Sequence, residues 1–81
     1  MNARVFVTLK PGVLDPVGQA LSHSLAGLGY TEVGEVRVGK VIELTVAGSD
    51  RAKVRARVDE MCQRLLANTV IEDYRIEGID P

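Results

Sequence analysis

The sequence is poor in the residues on which most enzyme and metal chemistry depends. It contains one cysteine, one histidine, two tyrosines, one phenylalanine and no tryptophan. Cys62 has no partner for a disulfide within the chain, and Cys62 with His23 supplies too few ligands for a Cys/His metal site. We therefore expect no bound metal and, because cysteine is so scarce, a reducing, cytoplasmic setting.

Long apolar runs and an excess of one charge are also missing. No segment approaches the ~20 apolar residues that span a bilayer, and the first ten residues, MNARVFVTLK, lack the apolar run of a signal peptide. A net charge of −1 argues against nonspecific binding to nucleic acid or to an anionic membrane. The 81 residues predict a single domain, 1–81, with a thin core that self-association would help to stabilise.

Apolar periodicity predicts the order β-α-β-β-α-β. RVFVTLK alternates as a strand. Asp15 is then a suitable N-cap and Pro16 a suitable first residue for a helix that stops near Gly29. Residues 35–46 read as a hairpin whose inward positions match only if an odd-numbered loop or a bulge lies at Gly39.

The second half of the chain repeats this helix-then-strand order. Ser49 or Asp50 caps a second helix with an apolar stripe, and Asn68 is expected to end it in the left-handed conformation. A last strand begins near Glu72. The order is that of the ferredoxin-like α+β fold, a four-stranded antiparallel sheet with two helices on one face. The residues expected to face those helices are Val5, Val7, Leu9, Val36, Val38, Ile42, Leu44, Val46 and Ile76.

The opposite sheet face is the main functional signal in the sequence. It mixes the less polar Phe6, Val41 and Thr45 with charged residues, and the set is completed by Thr8, Arg37, Glu43, Asp73 and Arg75. An apolar middle with a polar rim is typical of a protein–protein interface, and we favour that interpretation over the alternative of a solvated antiparallel face. RNA binding through stacked bases is disfavoured, because only Phe6 is placed for it.

Smaller motifs leave alternatives open. RVGK, residues 37–40, could grip a phosphate or a partner carboxylate, or could be a soluble turn. His23 reads as a solvated histidine and Cys62 as a buried structural thiol, since no nucleophile–base pair is evident. Tyr74 lies on the core side of its strand, so its hydroxyl serves either a partner or the fold.

Three blocks of the sequence resemble one known family. LKPGVLDPVGQAL, GYTEVGEVRVGKVIEL and MCQRLLANTVIEDYRIE together resemble PurS, the small subunit of bacterial phosphoribosylformylglycinamidine synthase, in the family's order and spacing from about Val5 to Glu77. Two positions depart from the usual pattern: family members often carry Gln where Val17 stands and Pro where Thr69 stands.

The resemblance implies a part in de novo purine biosynthesis. The complex it suggests is an ATP-dependent, glutamine-using ligase in which a large synthetase subunit binds ATP and a glutaminase subunit releases ammonia from glutamine. A PurS-like chain would be a dimer, able to pair into a tetramer, that bridges the two enzymes, with no cofactor and no catalytic residue of its own.

The sequence thus yields one main hypothesis and one alternative. The main hypothesis is a non-catalytic assembly subunit that touches its partners through the predicted sheet face and the turns at its edge. The contact residues it names are Lys10, Asp15, Arg37, Lys40, Glu43, Asp73, Tyr74 and Arg75. The alternative is a regulatory domain of ferredoxin-like fold that binds a small molecule at a dimer interface.

Overall fold

Three strands and two helices follow one another along the chain. The computed structural model describes residues 1–81. The strands are β1 (Asn2–Leu9), β2 (Lys40–Thr45) and β3 (Glu72–Asp80). The helices are α1 (Pro16–Gly27) and α2 (Arg51–Met61), and α2 continues into a π-helical turn over Cys62–Leu66. The sheet is antiparallel in the order β2-β1-β3, so that β1 is central.

The core lies between β1 and α2. Alternation along β1 turns Ala3, Val5 and Val7 toward the helix, which contributes Val54 and Val58. Cys62, Ala67 and Ile79 complete the buried apolar set. Only 10 of the 81 residues are buried, so the chain alone has a smaller core than its apolar content would allow. Neither helix is long and apolar enough to cross a membrane.

The predicted helix starts are confirmed, whereas the predicted end of α2 is wrong. Asp15 caps α1 through Gly18 N–H with Pro16 at the first position, and Asp50, rather than Ser49, caps α2. No residue other than glycine has a positive φ, so Asn68 is not left-handed. Its side-chain oxygen instead accepts the Val70 N–H at 3.2 Å, in a turn that leads into β3.

The prediction of a four-stranded sheet with both helices on one face is wrong. The sheet has three strands, and no hairpin forms over residues 35–46, because the chain enters β2 only at Lys40. No residue of α1 belongs to the core or packs against it. Residues 11–39, which include α1, form a separate unit that we call the arm.

Competing contacts explain why the hairpin does not form. Val38 donates its backbone N–H to the Asp15 carboxylate at 2.7 Å, which holds this segment beside the start of α1 rather than beside β2. Gly39 has no positive φ and makes no turn. It lies instead against β1, where a β-carbon would come within 2.5 Å of the Val7 carbonyl oxygen. Glycine is thus required here for close approach and not for chain reversal.

The odd-numbered loop or bulge expected at Gly39 does not form, and the β-bulge of this sheet lies in β3. The pairing of β1 with β3 shifts between Arg4 and Val5, since Val5 lies opposite Ile76 and Arg4 opposite Gly78. The extra residue, Glu77, is a bulge, and it allows both Ile76 and Ile79 to face α2.

The molecule is long and thin because the arm projects from the sheet. Its extents are 50 × 26 × 14 Å and its radius of gyration is 16.1 Å, against about 12 Å for a compact domain of this length. The apolar side of α1 therefore has no cover within the chain, whereas Ile42, Leu44 and Val46, in and just after β2, pack against the core but stay half-buried.

Candidate docking surfaces

The sheet face turned away from α2 carries the residues that alternation predicted for it, apart from Arg37. Cross-strand pairs build it in rows: Asn2 with Thr45, Arg4 with Glu43, Phe6 with Val41 and Arg75, and Thr8 with Asp73. We call this surface the open sheet face. Arg37 was predicted to lie on it, which is wrong, because Arg37 lies in the arm and not in a strand.

Phe6 is the apolar centre of the open sheet face. Its side chain is half-buried, and the Arg75 guanidinium lies over the ring, 4.9 Å from the ring centroid. Val41, the neighbour on the other side, is 52% exposed. Arg75 also pairs with Glu77 at 3.1 Å, which holds the guanidinium in place over Phe6.

Polar contacts surround this centre. Arg4 and Glu43 form an ion pair at 3.2 Å, and Thr45 donates its hydroxyl to the side-chain oxygen of Asn2 at 3.1 Å. These exposed pairs contribute little stability in water. They do give the open sheet face a defined pattern of charge around an apolar strip, which favours specificity toward a partner.

Lys10, Asp15 and Arg37 meet at the base of the arm, where they serve the fold. The Arg37 guanidinium donates to the carbonyl oxygens of Val13 at 2.8 Å and Lys10 at 3.1 Å. Asp15 is buried and accepts from Val38 and Gly18, at 2.7 and 2.8 Å. These two hydrogen bonds, with the nearby Arg37 charge, lower the pKa of the Asp15 carboxyl.

Lys40 and Tyr74 lie neither on the open sheet face nor at the base of the arm. Lys40 faces Glu72 across the sheet, with 4.0 Å between the ammonium nitrogen and a carboxylate oxygen. Tyr74 is on the α2 side and donates its hydroxyl to Asp59 at 2.7 Å, while Gln63 donates to the tyrosine oxygen at 3.3 Å. The bond to Asp59 is the main reason that the pKa of Tyr74 is raised.

The histidine and the cysteine do not form a catalytic site together. His23 is exposed on α1, and Cys62 is buried in the core. Burial, reinforced by the nearby Asp59 charge, raises the pKa of the Cys62 thiol, so the reactive thiolate is disfavoured.

The arm exposes an apolar stripe whose helical spacing is typical of a helix side that faces a core. Val17, Leu21 and Leu28 are 58%, 46% and 74% exposed. On the sheet, Ile42, Leu44 and Val46 face the α2 side but remain half-buried, with no helix over them. The spacing of apolar residues predicts which side of a helix is covered but not what covers it, which is why these residues were misplaced.

Comparison with known proteins identifies the family. The sequence pattern of the family described as "PurS: Phosphoribosylformylglycinamidine (FGAM) synthase" matches residues 2–80. The chain belongs to the PurS family. That family provides a subunit of phosphoribosylformylglycinamidine synthase, an enzyme of purine biosynthesis.

Individual PurS proteins are similar over almost the whole chain. The phosphoribosylformylglycinamidine synthase subunit PurS of Bacillus subtilis (strain 168) is 55% identical over 76 residues, which cover 94% of this chain and 89% of that protein. A solved structure of B. subtilis PurS superposes with a TM-score of 0.85 at 52% identity and covers 98% of both chains. A chain from the solved PurLQS of Thermotoga maritima superposes with a TM-score of 0.83 at 27% identity, covering 98% of this chain and 99% of that one.

Proposed function

We propose that this chain is a non-catalytic assembly subunit of phosphoribosylformylglycinamidine synthase in the cytoplasm. In this role it bridges the large synthetase subunit and the glutaminase subunit and helps ammonia to pass from one to the other. The support from known proteins is its membership of the PurS family and its likeness to a chain of the T. maritima PurLQS. ATP and glutamine are bound by the partner subunits and not by this chain.

The observation that carries the proposal is the apolar surface that the folded chain leaves uncovered. The apolar stripe of α1 (Val17, Leu21 and Leu28) is exposed, and the side of β2 that faces α2 is only half-buried. Each surface has the apolar residues of a core but lacks a full cover. Exposed apolar surface of this kind is costly in water, and removing it from water contributes about 25 cal/mol per Å². A chain with so few buried residues is therefore completed by another polypeptide.

We propose that a second copy of the chain covers the first of these surfaces. In the predicted closed arrangement, α1 would lie over β2 of its own chain. The contacts of Asp15 and Arg37 keep it away. If two chains exchange arms, the α1 stripe of each covers Ile42, Leu44 and Val46 of the other, and the two contacts are equivalent by two-fold symmetry.

The segment between α1 and β2, residues 28–39, which we call the connector, supports the same arrangement. The backbone N–H groups of Gly34, Glu35, Val36 and Arg37 donate no hydrogen bond within the chain. An extended segment with free N–H groups is able to pair with a strand from another molecule. In an arm-exchanged dimer these groups lie beside the partner's sheet, where such pairing satisfies them.

The open sheet face remains available to the larger subunits. In the arm-exchanged dimer, α1 of each chain covers the α2 side of the other sheet, so the Phe6 strip stays exposed on the opposite side. The dimer then presents two such faces, related by symmetry. Its role in ammonia transfer is to hold the two enzymes in register, because ammonia released into neutral water is mostly converted to ammonium, which is not a nucleophile.

Reconstitution with the synthetase and glutaminase subunits of the same organism tests the function. Turnover is measured with glutamine and, separately, with added ammonium salt, with and without this chain. We expect omission to abolish most glutamine-dependent turnover and to leave ammonia-dependent turnover nearly unchanged. Equal glutamine-dependent turnover with and without the chain would show that it does not bridge the two activities.

A further inference from the structure

The π-helical turn that follows α2 exposes one leucine and covers the next. Leu65 is 83% exposed, more than any other large apolar side chain, whereas Leu66 is half-buried and packs against the core. In a regular α-helix, Leu65 would share the side of Val58, which lies seven residues before it. Val58 is fully buried, so α-helical geometry would direct Leu65 toward the core.

The π-helical turn over Cys62–Leu66 explains why the two leucines exchange places. The Ala67 N–H donates to the Cys62 carbonyl at 3.0 Å, a bond that spans one residue more than an α-helical bond. Each residue of such a wider turn therefore advances around the helix by a smaller angle. Leu66 reaches the position over the core, and Leu65 stops short of it, on one flank of the helix.

The flank that carries Leu65 is turned toward β2. Gln63 lies on the opposite flank, because its side-chain nitrogen donates to the Tyr74 hydroxyl of β3 at 3.3 Å and to Asp59 at 2.9 Å. Residues two positions apart on a helix do not share a side, so Leu65 points away from β3. Since β1 lies between β3 and β2, this is the direction of β2.

The single chain gains no buried surface from Leu65. π-Helical turns are rare and occur frequently at functional sites. This one leaves a leucine in water, where it forgoes the stabilisation that burial would give. The arrangement suits a chain that buries Leu65 against another molecule.

The flank with Leu65 lies at the end of the sheet where the arm leaves. Asn68, two residues beyond the π-helical turn, accepts the Glu72 N–H at 2.7 Å, and Glu72 lies opposite Leu9, the last residue of β1. Leu65 also extends the half-buried row of Ile42 and Leu44 on the α2 side of β2. A second chain that enters from this end to cover β2 therefore meets Leu65 first.

The part of the second chain that arrives there is the start of its α1. The arm begins at residue 11 and α1 at Pro16, so the first turn of α1 lies nearest to the sheets. Val17 is the first residue of the α1 stripe and is 58% exposed. In this orientation α1 runs antiparallel to the α2 of the other chain, which places the positive end of one helix dipole beside the negative end of the other.

We propose that the π-helical turn after α2 is a docking site for a second copy of the chain, on which Leu65 packs against the partner's Val17. This inference rests on the arm-exchanged dimer of the proposed function. Two-fold symmetry repeats the contact, so that each dimer contains it twice.

Disulfide formation between chains tests the contact. The variant carries Val17→Cys with Leu65→Cys, and the matched control carries Val17→Cys with Val70→Cys. Val70 is 81% exposed but lies just before β3, at the other edge of the sheet from β2. With oxidised glutathione we expect the first variant to form a linked dimer, seen on a non-reducing gel, and the control to stay unlinked. The native Cys62 is fully buried and does not compete.

A polar substitution measures how much the contact contributes. Leu65→Gln changes a side chain that is exposed in the single chain, so the far-ultraviolet circular dichroism should not change. The dissociation constant of the dimer, from light scattering over a range of concentrations, should rise on the order of tenfold or more, because the contact is lost twice. Val70→Gln should leave that constant unchanged.

The outcomes separate this contact from arm exchange itself. If the wild type is dimeric but the Leu65 cysteine pair links no better than the control, or Leu65→Gln dimerises like the wild type, the inference is overturned and the dimer stands. A disulfide within one chain, or a wild type that stays monomeric, overturns both. If Leu65→Gln stays dimeric but loses glutamine-dependent turnover in the reconstituted complex, Leu65 contacts a larger subunit, which also overturns the inference.

Discussion

Gly18 of α1 lies directly against the carbonyl oxygen of Val36, so closely that a β-carbon at position 18 would overlap it. This contact, with the hydroxyl of Ser22 donating to the Gly34 carbonyl at 3.0 Å, fastens α1 to the connector. The arm therefore has an internal structure of its own, although α1 is not packed against the sheet.

Gly18→Ala is expected to loosen the arm. The overlap involves backbone on both sides and cannot be relieved by a side-chain rotation, so a cost of about 1–3 kcal/mol is expected. Hydrogen exchange should then accelerate in α1 and change little in β1. Gly27→Ala, in the same helix with open space around it, should instead be neutral or stabilising by up to about 1 kcal/mol. Equal exchange rates in the two variants would contradict this account of the arm.

Leu21→Asp is expected to prevent arm exchange. Leu21 is 46% exposed in the single chain, so a charge there costs the monomer little, but in the dimer it would be buried without a partner. The native mass, measured by light scattering over a range of concentrations, should fall from dimer to monomer. Gln19→Asp, on the opposite side of α1, serves as the control and should remain dimeric. A wild-type chain that stays monomeric at all concentrations would refute arm exchange.

Tyr74→Phe is expected to weaken the attachment of α2 to β3. The substitution removes the 2.7 Å bond to Asp59 and leaves the ring in place. Loss of one partly exposed hydrogen bond to a charged group should reduce the free energy of unfolding by about 1 kcal/mol, which lowers the melting temperature by about 4–8 °C in a domain of this size. Tyr30→Phe is the control, because Tyr30 is 51% exposed. An unchanged melting temperature for Tyr74→Phe would mean that the bond contributes nothing.

Arg37→Ala and Lys40→Ala are expected to differ in their effect on stability, although both residues belong to the RVGK motif. Arg37 holds the carbonyls of Lys10 and Val13, so its loss should expose the loop before α1 to proteolysis and destabilise the arm by on the order of 1 kcal/mol. Lys40 makes only a long contact with Glu72, and its loss should be within about 0.5 kcal/mol of neutral. Limited proteolysis with mapping of the first cut distinguishes the two. Similar digestion of both variants would contradict the structural role of Arg37.

The base of the arm is expected to open in acid. Hydrogen bonds from Val38 and Gly18 favour the charged form of Asp15 and lower its pKa in the folded chain. The stability that these hydrogen bonds contribute is therefore fully present above the ordinary carboxyl pKa of about 3.9. It is lost as the pH falls through the lower pKa that Asp15 has in the folded chain. Hydrogen exchange of the Val38 N–H is followed from about pH 6 to about pH 3 and corrected for intrinsic rates. It should accelerate only below about pH 4. In Asp15→Asn this step should disappear and exchange should already be faster at neutral pH.

The sequence by itself determined the local structure and the family. The cap at Asp15, a cap at Ser49 or Asp50 and the alternation along β1 and β3 depend on neighbours along the chain. The three blocks that resemble PurS need no coordinates at all. Cys62 was also placed correctly in the core, because its position beside the apolar stripe of α2 settles its burial.

Only the tertiary structure decided where the arm goes. Periodicity shows that Leu21 and Ile42 each need a cover, but the same pattern is satisfied by a cover from the same chain or from another. The choice depends on contacts between distant residues, Asp15 with Val38 and Arg37 with Lys10, which compete with the hairpin that the pattern 35–46 predicts. These contacts leave no periodic signal in the sequence, because each joins a side chain to a backbone group more than twenty residues away. They nevertheless decide whether α1 packs on its own sheet or projects from it.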